Sequence, residues 1–488
     1  MEGGEKVSEE FDLSEFDLHE DHVKVVLQTN CPSMVAVVAE FAAVGVIGQA
    51  QEWIALIMLI FVLLLILTEI IHRTLAAFLG AAGVLFLLGL EHRLPEISTI
   101  IGWMDHGTLA LLWGMMIIVA LLSRTGVFEW AAVRVFQASG ANMWKLFWML
   151  MIFDCILSAF LDNVTTMLLL SPVVISLCKA IDVQPKPMLI SLALFGNIGG
   201  TATMIGDPPN IIIGNALSDY ITFMDFLVIL GPGVLIMFPF ALAFARWYYG
   251  NEYFSTDISC DIDKLKANYP IREPRLLIKA SAVLFACIVM FFLHPVTHLD
   301  PAYIACFGAC LLLLLCGHHE FEYALEKVEW DSLLFFAGLF VFTEGVAELG
   351  LLGEIADLIS KLIKSIPKDA RQMSANIILH WVSACVSAFV DNIPFTTTMI
   401  PVIKRMTENV EGLKLEPLAW SLAFGADLGG MGTLIGASDN VVMAGIAQEA
   451  GYHVSFMEFF KIGWPMMCIC ASISCVYMII LESAGALG

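Results

Sequence analysis

Long apolar runs alternate with short polar breaks along the chain from about residue 53 onward. A spanning helix needs about 20 mainly apolar residues. On that measure 54–71, 75–90, 108–123, 188–217 and 227–249 predict five crossings in the first half, and 276–293, 301–316, 332–350, 416–448 and 461–481 predict five in the second. Between the third and fourth run of each half lies one more apolar region, 144–181 or 374–405, with an Asp-Asn pair at its middle. A polar tip between apolar arms satisfies its backbone in a bilayer only when it is buried in protein or faces water. Each region therefore reads as a re-entrant hairpin that enters and leaves on one side. The fold class expected is an all-α polytopic membrane protein of two repeats, each with five transmembrane helices and one re-entrant hairpin. Because five is odd, the second repeat is inverted relative to the first, as in many secondary transporters.

The repetition extends to individual residues. "SAFLDNVTTMLLLSPVV" at 158–174 returns as "SAFVDNIPFTTTMIPVI" at 387–403, and "NIGGTATMIGDPPN" at 197–210 returns as "DLGGMGTLIGASDN" at 427–440. The glycines, together with Pro208 and Pro209, predict that 188–217 and 416–448 are broken helices, because proline removes a donor and glycine costs about 1 kcal/mol against alanine. Half-helices meeting in mid-membrane turn bare amides and carbonyls toward a cavity, where ions and small anions bind.

Composition agrees with the pattern. With 59% hydrophobic and 15% charged residues, the chain is oilier than the roughly 45–50% apolar content of a soluble domain. Much of the net charge of −23 comes from an acidic head, where nine carboxylates in the first 22 residues face one lysine, Lys6. No basic stripe interleaved with aromatics is present, which excludes a nucleic-acid partner. The 12 cysteines show neither CxxC pairs nor zinc spacing and read as small hydrophobes.

Four segments follow: an acidic tail at 1–52, repeat 1 at 53–250, a hydrophilic linker at 251–275 and repeat 2 at 276–488. Segment 34–50 is apolar but interrupted by Glu40, so spanning and amphipathic readings both stand. Arg73, Arg124, Arg134, Lys145, Lys179, Lys186 and Arg246 fall on one side and Arg93 alone on the other, which makes the first side cytoplasmic. In the second half the bias is weaker, since Lys361, Lys364, Lys368, Arg371, Lys404, Arg405 and Lys414 fall opposite.

A carboxylate at the bilayer centre costs about 2.5–3.5 kcal/mol on insertion scales, which makes Asp162 and Asp391 functional candidates. Asn163 and Asn392 beside them offer a carbonyl oxygen and two amide donors each, so a sodium ion is one candidate guest of Asp162, Asn163, Asp391 and Asn392. The competing reading is that each aspartate caps the second hairpin arm, with Thr166 or Thr396 completing the turn. Thr165, Thr166, Thr396 and Thr397 in the same turns are candidate ion or substrate ligands as well. At the helix breaks the candidate ion or substrate ligands are Asn197, Gly200, Thr201, Thr203, Asp207 and Asn210 in the first copy, and Asp427, Gly430, Thr433, Ser438, Asp439 and Asn440 in the second. Glu69, Asp154, Glu344 and Glu348 are expected to pair with neighbours on their helices or reach the interface. His294, His298, His318 and His319 stand near segment ends, where a pH-sensing role competes with a bland one. An intramembrane protease built on two carboxylates leaves the repeats without a purpose, and no cofactor is implied.

"EIIHRTLAAFLG", "TLALLWGMMIIVAL", "LSAFLDNVTTMLL", "NIGGTATMIGDPPN", "VEWDSLLFFA", "DNIPFTTTMIPV", "GTLIGAS" and "GYHVSFMEFF" together resemble the P-protein branch of the ion transporter superfamily. That superfamily also holds arsenite pumps, sodium/proton antiporters and divalent anion/sodium symporters, and the similarity covers about 69–481. It implies a homodimer, a scaffold with a mobile domain of hairpins and broken helices moving as an elevator, and a role in the ion balance and pH of an acidic, melanosome-like organelle. Proton or sodium coupling is implied as well. The carboxylate symporters read Ser-Asn-Thr at the hairpin tips, where this chain has Asp162-Asn163-Val164 and Asp391-Asn392-Ile393. A carboxylate in place of a hydroxyl repels a citrate-like anion unless it is neutralised, which favours proton- or cation-linked traffic over tricarboxylate uptake. Residues 1–52 contain no acidic di-leucine sorting signal.

Overall fold

The computed structural model describes residues 50–487 apart from 69, 92, 141, 255–268 and 317. Glu69, the acidic head, nearly all of segment 34–50 and the middle of the expected linker therefore lie outside the described residues.

Apolar runs become helices because in lipid only the helix satisfies every backbone group within its own segment. The first half runs α1 Gln51–Thr68, α2 Arg73–Leu90, α3 Ile97–Gly102, α4 His106–Arg124, α5 Val127–Ala138, α6 Met143–Ser158, α7 Asn163–Ala180, α8 Lys186–Gly200, α9 Pro208–Ala216 and α10 Phe223–Phe254. The second half begins with α11 Pro274–Phe292, the single turn α12 His294–Thr297, α13 Pro301–Cys316, α14 His318–Lys327, α15 Trp330–Glu348 and α16 Leu351–Lys364. It continues with α17 Arg371–Ser387, α18 Asn392–Asn409, α19 Leu415–Gly430, α20 Ser438–Glu449 and α21 Phe456–Ser483. Among the described residues seven helices, namely α2, α4, α7, α10, α11, α15 and α21, are long and apolar enough to cross a membrane, and α1 and α13 are shorter apolar helices.

Both expected hairpins fold as helix-turn-helix units, α6–α7 and α17–α18, and both expected breaks are present, at 201–207 and 431–437. The expected linker starts late, since α10 continues through Phe254 with a non-helical step at Gly250. Two connecting helices, α5 and α16, carry no signal in a reading that searches for 20-residue apolar runs. Each follows a glycine in the left-handed region, Gly126 at φ 76° and Gly350 at φ 88°, the conformation in which a side chain is strained. At the first of these turns the chain leaving the linker is tied down, with Arg272 N donating to Thr125 O at 2.9 Å.

Helix pairings recur with the halves exchanged. α2 packs on α15 as α13 packs on α4, and α20 packs on α7 as α9 packs on α18. Within each half, the first hairpin arm packs along the first half-helix, α6 on α8 and α17 on α19. Without a hydrophobic drive between helices in lipid, such contacts rely on small residues that let backbones approach. Gly114 shows this: a Cβ there would stand 2.6 Å from the carbonyl carbon of Ala305. Outward-facing residues of α1, α11 and α13, such as Trp53, Phe285 and Leu314, are apolar and exposed, as a lipid-facing surface requires.

Candidate ion and substrate site

The two hairpin tips separate the roles of the paired residues. Asp162 stands at the N-cap of α7, where its carboxylate accepts from Thr165 N at 2.9 Å and Thr165 Oγ1 at 2.6 Å, and Thr166 Oγ1 donates to Asp162 O at 3.1 Å. Asp391 accepts from Ile393 N at 3.1 Å at the N-cap of α18. Both aspartates are half-buried, so the capping reading describes their backbone contacts. Asp162 additionally lines a small cavity against Leu112, Met115 and Val119 of α4. The asparagines one residue on are buried and point inward.

At each helix break an asparagine ties off the carbonyls that the interrupted helix exposes. Asn210 Nδ2 donates to Gly200 O at 3.4 Å and Thr203 O at 3.1 Å, and Asn440 Nδ2 donates to Gly430 O at 2.8 Å and Thr433 O at 3.1 Å. The threonine hydroxyls fasten each break to its own hairpin turn, Thr203 donating to Ala159 O and Thr433 to Ala388 O. Gly200 must be glycine, because a Cβ there would stand 2.7 Å from Asn163 Oδ1.

Asp207 brings the two tips together. Its carboxylate accepts from Asn163 Nδ2 at 2.9 Å and, more weakly, from Asn392 Nδ2 at 3.4 Å, although 185 residues separate the second pair. Asn197 also reaches across the halves, its Nδ2 donating to Ala193 O at 2.8 Å, Asp439 Oδ2 at 3.0 Å and Asn440 Oδ1 at 3.5 Å. Thr201 Oγ1 returns to Asn197 O at 2.9 Å. Asp427, the counterpart of Asn197, lies against Asn210 and Thr201, yet neither of its carboxylate oxygens accepts a hydrogen bond.

The polar atoms without a partner here are mainly acceptors: both oxygens of Asp427, Asn197 Oδ1, Asn210 Oδ1 and the hydroxyl of Thr396. A buried unpaired acceptor costs about 1–3 kcal/mol and a buried unpaired charge more, so this lining suits a cation or protons. Among the described residues, no lysine or arginine is paired with Asp207, Asp427 or Asp439. Nor, among the described residues, do three or more His, Cys, Asp or Glu side chains group as a metal site. Thr165 serves the Asp162 cap, Thr397 Oγ1 donates to Ile393 O at 2.9 Å, and Ser438 is half-buried at the start of α20. None of these three is hydrogen-bonded to the Asp207 cluster.

Of two buried titratable residues, the sequence reading placed one elsewhere and passed over the other. Asp154 was expected to pair with a helix neighbour or reach the interface. Instead it is wholly buried, with neither oxygen partnered, because the face of α6 that carries it turns toward α8. His380 in α17 is buried with Nε2 at 2.9 Å from Ala471 O and 3.2 Å from Ser474 Oγ. Both sit on the first arms, where periodicity reports only an apolar helix. Of the weaker candidates, Glu348 does pair, at 4.0 Å from Arg93.

Long apolar helices around paired hairpins and broken helices define a multi-pass helical membrane protein of transporter architecture. The chain belongs to the citrate transporter family, whose profile matches residues 62–425. It is 39% identical to the P protein of Homo sapiens over 503 aligned positions, covering 88% of this chain and 60% of that protein, and equally to the P protein of Sus scrofa. The chain thus spans about three-fifths of the length of these relatives. An uncharacterized transporter of Mycobacterium tuberculosis is 35% identical over 415 positions, 85% of this chain and 95% of its own length. The crystal structure of the YdaH transporter of Alcanivorax borkumensis shares the fold at a TM-score of 0.56 and 13% identity, covering 86% of this chain and 99% of that one.

Proposed function

We propose that this protein is a secondary transporter that moves small anions, or exchanges protons or sodium, through a cavity enclosed by the two hairpin tips and the two helix breaks. The observation that carries the reading is the Asp207 carboxylate accepting from Asn163 and Asn392, one residue from each tip. A ligand that enters the cavity displaces or joins these contacts and so engages both halves at once. The exchanged helix pairings support two inverted repeats, 53–250 and 276–488, joined by the linker 251–275. An elevator follows naturally, with α6–α10 and α17–α21 moving against α1–α4 and α11–α15 in each protomer of a homodimer. Kinship with the P proteins favours service to the ion balance and pH of an acidic organelle such as a melanosome. The alternative is a sodium-coupled dicarboxylate or small-anion symporter, a reading favoured by the family to which the chain belongs. In that case sodium or protons must first neutralise the acidic lining, because an unshielded polyanion beside buried carboxylates is repelled.

The test is flux in liposomes containing the purified protein under imposed sodium or proton gradients. Asn163→Ala and Asn392→Ala should each lower the rate at least about tenfold, since losing a hydrogen bond to a charged partner costs about 1.5–3 kcal/mol. Rates equal to wild type in both variants would remove the tips from the transport path.

A further inference from the structure

Behind the cavity, between α6 and α8, a second acidic position stands apart from the tips. Asp154 is 0% exposed and neither carboxylate oxygen accepts a hydrogen bond. Space for the carboxylate comes from Gly196 on α8, where a Cβ would stand 3.6 Å from Asp154 Oδ2 and 3.8 Å from Ser158 Oγ. Aspartate and serine thus border the same gap, one helical turn apart on α6.

Ser158 is also wholly buried, and its hydroxyl donates to Asn163 Oδ1. Asn163 Nδ2 then donates to Asp207 Oδ2 at 2.9 Å. These bonds point the same way, from the Asp154 side toward the Asp207 carboxylate. A neutral Asp154 carboxyl continues the order by offering its own O–H to Ser158 Oγ. An ionised Asp154 reverses it, because a buried carboxylate needs a donor and the Ser158 hydroxyl is the one placed nearby. Turning that hydroxyl away strips Asn163 Oδ1 of its hydrogen bond and leaves a carbonyl oxygen free to meet a cation.

We propose that Asp154 is the proton-carrying residue of this transporter, exchanging its proton against a cation at the hairpin tip through the Ser158 hydroxyl. This rests on the reading of the chain as an ion transporter. Proton and cation then compete without sharing an atom: the proton on Asp154 holds Asn163 turned to Ser158, and its loss releases Asn163 for the ion. The charge of Asp439, on α20, acts on Asp154, and Asp154 in turn acts on the neighbouring Cys155 thiol of its own helix. From the elements packed against α6, the charged residues engage elsewhere or face away. Lys186 of α8 pairs with Glu458, Arg246 of α10 stacks over Trp144, Lys179 of α7 lies over Tyr452, and Arg134 of α5 over Trp130. Tyr249 of α10 donates to Pro187 O, Asp225 accepts from Thr222 N at 2.8 Å at the start of α10, and Glu129 stands in the first turn of α5.

The experiment uses the whole protein in liposomes loaded with a pH-reporting dye. Two quantities are read: proton movement driven by a sodium gradient, and isotopic sodium exchange at equal pH on both sides. Asp154→Asn, which keeps the shape of the neutral carboxyl and so holds Asn163 turned to Ser158, should lose at least tenfold in both proton movement and sodium exchange. Ser158→Ala, alone or added to Asp154→Asn, frees Asn163 Oδ1 and should keep sodium exchange within about twofold of wild type while proton movement stays at least tenfold down. The inference is overturned if Asp154→Asn moves protons as wild type does, or if Ser158→Ala loses exchange together with proton movement and fails to restore exchange to Asp154→Asn, since the positions then serve assembly alone. Wild-type sodium exchange without proton movement defeats this inference but leaves the transporter reading intact, whereas no flux of any ion in the wild type defeats both.

Discussion

Replacing Asp207 by alanine is expected to lower transport at least about 100-fold, more than any other single change at the site. Its carboxylate accepts from Asn163 at 2.9 Å and Asn392 at 3.4 Å, and all three residues are buried. Losing one good charged hydrogen bond and one weaker one, with two amides left without their acceptor, costs about 3 kcal/mol or more, which at 1.4 kcal/mol per tenfold reaches two orders of magnitude. Asp207→Asn should fall between alanine and wild type, since an amide presents one acceptor and sets its NH2 against the other donor. The measurement is initial flux into liposomes at matched protein density, with melting temperature as a control for folding. Wild-type flux in Asp207→Ala would falsify the placement of the ion path between the tips.

The second large effect concerns assembly. Gly199 lies where α8 crosses α6, and a Cβ added there would stand 2.5 Å from the Cα of Cys155 and 2.9 Å from its carbonyl carbon. Backbone cannot retreat as a side chain does, so Gly199→Val must prise the hairpin arm from the half-helix. The cost should exceed the roughly 1–3 kcal/mol typical of an overpacked core. The expected result is loss of the monodisperse protein peak in detergent, or a melting temperature lowered by several degrees. Gly429, its counterpart on α19, stands 2.7 Å on the same measure from Ala384 O and should respond alike. Gly445→Ala is the contrast: nothing lies within 4 Å of its Cβ position, it is exposed on α20, and helix propensity favours alanine by about 1 kcal/mol. Equal tolerance at Gly199 and Gly445 would mean that α6 and α8 do not pack this closely.

Much of the architecture was legible in the pattern of the chain. Apolar runs of span length, the Asp-Asn pairs inside them and the glycine breaks predicted helices, hairpins and interruptions at 158–163, 387–392, 201–207 and 431–437, where the structure has them. The reason is that these features are local. A run of about 20 apolar residues in lipid has the helix as its only way to satisfy its own backbone, and a glycine-rich or Pro-Pro step breaks that helix wherever it falls. The short connectors α5 and α16 were not legible, because they are amphipathic and owe their helicity to the elements they join.

What tertiary structure alone decided is which side chains of the repeated motifs meet. The sequence marked Asp162 and Asp391 as prominently as Asn163 and Asn392, yet capping turned the aspartates onto their own helices and left the asparagines to share Asp207. It also gave no sign that Asn197 would reach Asp439, 242 residues away, or that Asp154 would be enclosed without a partner. Spacing along a chain sets which backbone groups a side chain can reach within a turn or two. Which residues converge from distant segments depends on how the helices lie against one another, and here that rests on glycines whose missing side chains let the backbones touch.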